Sequence, residues 1–237
     1  MIRPPFGLAA LDMAGTTVLD DGVVEYAFHR AVESTVAGSP AGKAAGSTST
    51  ATALADPEDF VRRTMGQSKI SVFTELFGGD AELAAQANAA FEDTFDRAVE
   101  RGDVEPMPGA VAAIRGLQKA GIRVCLTTGF APPTRDRILT ALGWTELADL
   151  VLSPADAGRG RPSPDMILTA VLRLGIDDVA EVAVAGDTVS DLVAGTRAGA
   201  SVVAGVLTGS HSRAELEDAP HTHILPSVSD LPAVLLG

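Results

Sequence analysis

Short apolar, β-branched runs alternate with amphipathic helical stretches through the C-terminal half of the chain, the pattern of a parallel sheet wrapped by helices. The runs predict strands over residues 8–11, 122–127, 150–152, 182–185 and 202–206, with a short further strand over 223–225. Met166, Ala170 and Leu174 recur every four residues; Ser163 is the expected N-cap, Pro164 fits the first turn and Gly175 closes the helix. Val111, Ile114 and Leu117 before Gly121, and Ile138, Leu139 and Leu142 before Gly143, mark two more helices that end in the same way. From about Gly22 to Asp103 the strand-like runs vanish, and helical spacing takes over in Val24-Ala27-Phe28-Ala31, Phe60-Thr64 and Leu83-Ala87-Phe91-Phe95. The expected fold is α/β: a doubly wound, mainly parallel sheet with an inserted α-helical cap domain. Residues 1–21 and 104–237 form the core domain in this reading, and residues 22–103 the cap. Within the cap, residues 37–55 are an Ala, Gly, Ser and Thr tract whose only charge is Lys43, expected to be a flexible loop.

At 237 residues the chain is long enough for one large domain or two modest ones. No apolar run approaches the roughly 20 residues of a membrane-spanning helix. The first ten residues carry Pro4 and Pro5 without a small-residue cleavage pattern, so no signal peptide is expected and cytoplasm is the default compartment. The single cysteine, Cys125, lies in an apolar run and reads as a buried core thiol. A net charge of −13, from 18 basic and 31 acidic residues, repels nucleic acid and anionic membrane alike. A small anionic substrate then needs positive charge supplied locally, by a metal and by particular Lys and Arg residues.

Ligands of an open parallel sheet gather beyond the carboxyl ends of its strands, and three polar segments fall there. They are Asp12-Met13-Ala14-Gly15-Thr16-Thr17, Thr127-Thr128-Gly129 and Gly186-Asp187-Thr188-Val189-Ser190-Asp191. Asp12 and Asp187 brought together repel unless a hard cation sits between them, and oxygen ligation of that kind suits Mg2+. Asp191, four residues beyond Asp187, faces the same site from the first helical turn and either orients the metal or binds it through water. Any one of these Asp residues taken singly reads more readily as a helix cap; their joint placement favours a site. The Thr127 and Thr128 hydroxyls and the Gly129 backbone are suited to hold phosphoryl oxygens. Among other candidates, His221 and His223 share a strand face but lack further ligands for a metal, and His29 and His211 show no partner in sequence.

Asp12-x-Ala14-Gly15-Thr16-Thr17, Thr127-Thr128-Gly129, Gly160-Arg161-Pro162 and Gly186-Asp187-Thr188 resemble, in order and spacing, the motifs of the haloacid dehalogenase superfamily, with its Rossmann-like core. Ordinary phosphatases of that superfamily carry a second Asp two residues after the nucleophile, where this chain has Ala14. Ala14 and Arg161 resemble the phosphonatase branch, as does Met65-Gly66-Gln67-Ser68-Lys69-Ile70, which matches that branch's cap pattern Met-Gly-x-x-Lys-Ile. The resemblance implies Asp12 as nucleophile and Lys69 as the amine that condenses with the aldehyde of phosphonoacetaldehyde or a related 2-oxoalkylphosphonate. It further implies Mg2+ held by Asp12, the Ala14 carbonyl and Asp187 with Asp191, and Arg161 and Thr127 in the catalytic group. Gly15, Thr16, Thr128, Gly129 and Met65 are the expected phosphoryl- and substrate-binding residues. The chain departs from that branch at Val72, where the branch has His, at Phe130, where it has Tyr, and at Val23, where it has Cys.

A helical wheel places Met65, Ile70, Val72, Phe73, Leu76 and Phe77 on the face centred near Lys69, and such desolvation favours the free amine that attacks a carbonyl. The commoner fate of a lone lysine is to snorkel at a helix interface. Two other functions fit part of the pattern: a phosphomonoester phosphatase in which Lys69 merely packs, and a phosphoacceptor signalling module, which needs no cap. Lid motion is expected at hinges near residues 20–23 and 103–108, and dimerisation through the cap is implied by resemblance.

Overall fold

The computed structural model describes residues 5–19, 22–38 and 57–237. In chain order, β1 (Leu8–Asp12) and β2 (Val18–Leu19) lead into helices α1 (Val23–Gly38), α2 (Pro57–Thr64), α3 (Lys69–Leu76) and α4 (Ala81–Arg101). The chain continues through β3 (Glu105–Pro106), α5 (Ala110–Lys119), β4 (Arg123–Thr127), α6 (Pro132–Ala141), β5 (Leu150–Leu152), α7 (Pro154–Ala157) and α8 (Asp165–Leu174). It closes with β6 (Val182–Gly186), α9 (Val189–Ala198), β7 (Val202–Val206), α10 (Arg213–Asp218), β8 (His223–Leu225) and α11 (Leu231–Leu236).

Six strands form one sheet in the order β5-β4-β1-β6-β7-β8, and every pairing is parallel. This is the doubly wound α/β sheet that the sequence predicts. All five residues of β1, β6 and β7 are buried, which is why their sequences read as continuous apolar runs rather than as alternating ones. The topology reverses at β1, whose neighbours β4 and β6 lie later in the chain, so the carboxyl ends of these three strands border one crevice. Cys125 is buried there in β4, and burial pushes its thiol far up from the ordinary range. No helix of the described residues is long and apolar enough to cross a membrane.

Two details differ from the sequence reading. Ser163 does not cap α8: Pro164 occupies the N-cap, and Ser163 stays in the preceding turn, its N–H donating to the Gly160 carbonyl. Gly175 does end that helix, in the left-handed conformation. A two-stranded antiparallel ladder, Val18 opposite Pro106 and Leu19 opposite Glu105, ties together the two crossings into the helical insert, beside the expected hinges. Asp20 and Asp21 of the first hinge, and residues 39–55 of the expected loop, lie outside the described residues.

The insert is held by aromatic packing. Phe28 of α1 stacks on Phe73 of α3 at 4.9 Å, and Phe91 and Phe95 of α4 meet Phe130, from the loop after β4, at 6.2 and 4.7 Å. Phe130 is therefore where the core's apolar interior continues into the insert.

Candidate active site

Asp12 ends the central strand beside Thr127, and the chain then folds back on itself: the Thr17 and Val18 N–H groups both donate to the Met13 carbonyl, at 2.9 and 2.7 Å. Gly15 has φ +75°, and a Cβ there would lie 2.5 Å from Asp187 Oδ2, so the turn passes Asp187 only without a side chain. Asp187 follows β6 and is held by the Thr16 hydroxyl at 3.1 Å and the Ser210 N–H at 2.8 Å. Thr188 caps α9 in a capping box with Asp191, its hydroxyl donating to Asp191 Oδ2 at 2.5 Å. Asp191 thus takes part in the helix cap through Oδ2, and Oδ1 is left to meet Arg161.

Carboxylate oxygens of Asp12, Asp187 and Asp191 lie within 4.8 Å of one another, and all three residues are buried. Arg161, also buried, sets Nη1 2.5 Å from Asp12 Oδ1 and donates from the same nitrogen to Asp191 Oδ1. The contact with Asp12 is one of charge rather than of aligned hydrogen bonding: among the described residues Asp12 Oδ1 and Arg161 Nε have no hydrogen-bond partner. Burial drives the Asp12 carboxyl well above its usual range, with Asp191 and Asp187 adding to the rise and Arg161 opposing it. Asp187 is pushed up to about 6, first by burial and then by the charge of Asp191, against the Ser210 N–H. Burial works against the charge of Arg161, but Asp12 and Asp191 outweigh it and hold the guanidinium firmly protonated. One guanidinium against three buried carboxylates leaves an excess of oxygen donors, the chemistry of a site for a hard cation.

Lys69 opens α3 and is 9% exposed, with Nζ 5.7 Å from the centroid of the Phe91 ring. Val72, Phe73, Leu76 and Phe77 are buried around it as the wheel predicts. Met65 and Ile70 depart from that wheel. Gly66, at φ +77°, breaks the helix before Ser68, so Met65 belongs to the preceding turn, and Ile70 is exposed.

A cavity of about 30 Å³ joins these two sides, lined by Asp12, Ala14, Met65, Lys69, Thr128, Gly129, Arg161 and Asp187 together with Phe130 and Ser210. Gly15, Thr16, Thr127 and Asp191 are outside that lining: the Thr16 hydroxyl is bonded to Asp187, and the Thr127 hydroxyl donates across the sheet to the Leu11 carbonyl at 3.5 Å. Contact between the two sides is close, because a Cβ on Gly129 would strike the Gln67 carbonyl and one on Gly66 would strike the Thr188 hydroxyl. Lys69, Gly129 and Phe130 also border a larger groove of about 450 Å³ that reaches Asn88 and Arg159, giving the amine a route to the outside.

Sequence reasoning left Ser210 and His211 without a role. His211 is buried and bonded at both ring nitrogens, to Val189 and to Arg62. His221 and His223 bond locally instead, to the Ala219 carbonyl and the Thr222 hydroxyl. Only the Thr188-x-x-Asp191 capping box carried a local signal; the partners of Ser210 and His211 are distant in sequence.

A carboxylate cluster at the carboxyl edge of a parallel sheet shares one cavity with a lysine from a helical insert, the arrangement of an α/β enzyme. The model of the haloacid dehalogenase-like hydrolase family matches residues 6–199, and the chain belongs to that family. It is 32% identical over 155 residues to phosphonoacetaldehyde hydrolase of Bordetella pertussis, a match that takes in 55% of this chain and 56% of the relative. The chain thus spans little more than half the length of such curated relatives. Among solved structures, a hydrolase from Pseudomonas syringae superposes with a TM-score of 0.77 at 22% identity, covering 95% of each chain. A phosphonoacetaldehyde hydrolase-like protein from Oleispira antarctica superposes with a TM-score of 0.76 at 22% identity, over 99% of this chain and 92% of the other.

Proposed function

We propose that this hydrolase cleaves the carbon–phosphorus bond of phosphonoacetaldehyde or a related 2-oxoalkylphosphonate, with Asp12 as nucleophile, Lys69 as Schiff-base lysine and Mg2+ as cofactor. In this reading residues 22–103 are a cap domain that closes over a core of residues 1–21 and 104–237. The observation that carries it is that Asp12 and Lys69 line one small cavity in which residue 14 is alanine. A leaving alkoxide needs an acid there; a leaving carbon needs an electron sink, which an iminium on Lys69 supplies. The names of the curated relatives point the same way.

Lys69 Nζ adds to the substrate carbonyl and water departs, giving an iminium. An Asp12 carboxylate oxygen then attacks phosphorus in line, and the carbon–phosphorus bonding pair moves into the iminium to leave an enamine. Arg161 faces the phosphoryl oxygens, and Thr128 has a hydroxyl proton free to join it, since that hydroxyl uses only a lone pair in accepting the Phe130 N–H at 3.2 Å. Gly129 lines the same cavity, and its missing side chain lets the Gln67 backbone of the insert come close to the site. Water cleaves the aspartyl phosphate, and protonation of the enamine carbon followed by hydrolysis releases the aldehyde, or the ketone from a longer homologue, and frees Lys69.

The donor set fits Mg2+: the close carboxylates and the Asp12 oxygen left without a hydrogen bond suit a hard cation. Asp12, the Ala14 carbonyl and Asp187 would hold it, and Asp191, already engaged by Thr188 and Arg161, would orient the group. Bound there, Mg2+ supplies charge neutralisation at the phosphoryl oxygens. Apolar Val23, Val72 and Phe130 replace groups able to shuttle protons, so a relative of phosphonoacetaldehyde is as suitable a substrate as that compound.

The test is incubation with phosphonoacetaldehyde and its longer 2-oxo homologues in the presence of borohydride, followed by peptide mass mapping. A reduced adduct on Lys69 is expected. No adduct with any of them, combined with Mg2+-dependent phosphate release from simple monoesters, would transfer the chain to the phosphomonoester phosphatases; a stable phosphoenzyme without turnover would make it a signalling module.

A further inference from the structure

One imidazole joins the helical insert to the core. His211 lies in the loop between β7 and α10; its Nδ1 accepts from the Val189 N–H at 3.0 Å, and its Nε2 is 2.9 Å from the Arg62 carbonyl. Val189 begins α9, the helix whose first turn carries Asp191 and which follows directly on Asp187 and Thr188. Arg62 is in the last turn of α2, three residues before the Met65–Gly66 turn that delivers Lys69 to the cavity. The first N–H groups of a helix have no partner within it, and the ring accepts from one of them; its other nitrogen meets the Arg62 carbonyl, which also accepts from the Met65 N–H at 3.2 Å, so one ring bonds to two helices far apart in the chain.

The two partners also fix the proton. A peptide N–H only donates and a carbonyl only accepts, so the ring is neutral and carries its hydrogen on Nε2. A second link lies beside it, where Arg62 Nε is 3.5 Å from Glu215 Oε1, but the arginine side chain is 58% exposed and solvent screens that pair. His211 is 7% exposed, so its bonds are made out of water, where losing one leaves a buried group unsatisfied.

We propose that His211 is a positioning residue: it docks the insert on the core in the register that sets Lys69 opposite Asp12. The role concerns how the site closes, so it extends the proposed function without depending on the identity of the substrate.

Asparagine and glutamine separate the two ends of the ring, because the Asn amide sits where Nδ1 does and the Gln amide nitrogen reaches where Nε2 does. Amide hydrogen exchange read by mass spectrometry over residues 62–72 is the substrate-independent measurement. His211→Asn should raise exchange there about fivefold, the loss of one neutral hydrogen bond, and leave the sheet unchanged. His211→Gln should restore protection over residues 62–72, and where the phosphonate reaction is established kcat/KM should follow the same order. In the wild-type protein, long-range 15N–1H NMR should find a slowly exchanging proton on Nε2, a result that needs no variant to fold. Unchanged exchange over 62–72 in His211→Asn, equal loosening of core strands and insert in both variants, or a proton on Nδ1 would each overturn the proposal. Failure to trap an adduct on Lys69 with these exchange results intact would count against the substrate assignment alone.

Discussion

On the core side of the cavity, Asp187, Asp191 and Arg161 are tied by hydrogen bonds to one another and to Thr16, Thr188 and Ser210, and Arg161 is ion-paired with Asp12. On the insert side, Lys69 is buried with Nζ 5.7 Å from the Phe91 ring centroid, on a helix whose Val72, Phe73 and Leu76 are buried. The first wall resists displacement because moving one charge exposes another, buried in low dielectric. The second is built mainly on apolar packing, which is not directional, with His211 as a polar tie between insert and core. In the proposed function the first wall carries the nucleophile and the second the amine, an arrangement that suits a site admitting substrate before it closes.

The sharpest test of this difference is functional. Asp12→Asn removes the nucleophile while keeping its shape, and release of phosphate from any substrate should fall by about 10⁴ or more. Lys69→Arg should cause a comparable loss only with the phosphonate, since a phosphomonoester requires the core wall alone. Equal losses in Lys69→Arg on both substrate types, in parallel phosphate assays, would show that the amine supports the core wall instead of acting on carbon.

Stability distinguishes the walls next. Phe130 packs against Phe91 and Phe95, so Phe130→Ala opens a cavity at the seam and should cost about 4 kcal/mol by denaturant titration. A cost under about 1 kcal/mol would mean that the seam is poorly packed and that polar contacts do the docking. Arg161→Met strips the cation from three buried carboxylates and should cost about 3 kcal/mol in EDTA, lowering Tm by roughly 8 °C. Millimolar Mg2+ should recover a large part of that loss, because the divalent ion replaces the missing charge. A Tm of the variant indifferent to Mg2+ would sink the assignment of the cluster to metal.

Legibility followed the same division. The sheet was readable because strands buried on both faces announce themselves as apolar runs, and residues 150–152, 202–206 and 223–225 match the strands without change. The β2–β3 ladder, two residues to a strand, leaves no such run. Strand-end placement brings Asp12, Asp187 and Asp191 together in the sequence reading, whereas Arg161 rests on resemblance: its partners are at the end of β1 and in the first turn of α9, and nothing local in Gly160-Arg161-Pro162 reports them. Lys69 was placed on an apolar face, but the wheel ran through Gly66 as though helix continued, which wrongly included Met65. His211 could not be assigned, because its ring partners are 22 and 149 residues away. Periodicity reports burial; it is silent on which distant carbonyl a buried side chain meets.

The smallest expected effect lies away from both walls and sets the scale for them. Asp149 accepts from the Val124 N–H at 2.9 Å, from Arg123 at 2.8 Å and from Gln118 at 3.3 Å, at the amino end of β4, opposite the catalytic edge. Partial burial alone would raise its carboxyl, but these donors outweigh that effect and hold it below the usual carboxylate range. A carboxylate whose folded pKa is depressed adds stability above its unfolded pKa, about 3.9, and that stability is lost as pH falls through the lower folded value. Asp149→Asn should therefore lower stability at pH 7 by about 1 kcal/mol, a shift of some ~3 °C in Tm. The gap between variant and wild type should narrow as the pH falls below the unfolded value of about 3.9. Activity per folded molecule should stay unchanged, since the residue holds the foot of β4 and not the cavity. A gap that is flat across that range would mean the carboxylate acts only through shape, and the larger losses expected at Arg161 could then no longer be attributed to charge by the same reasoning.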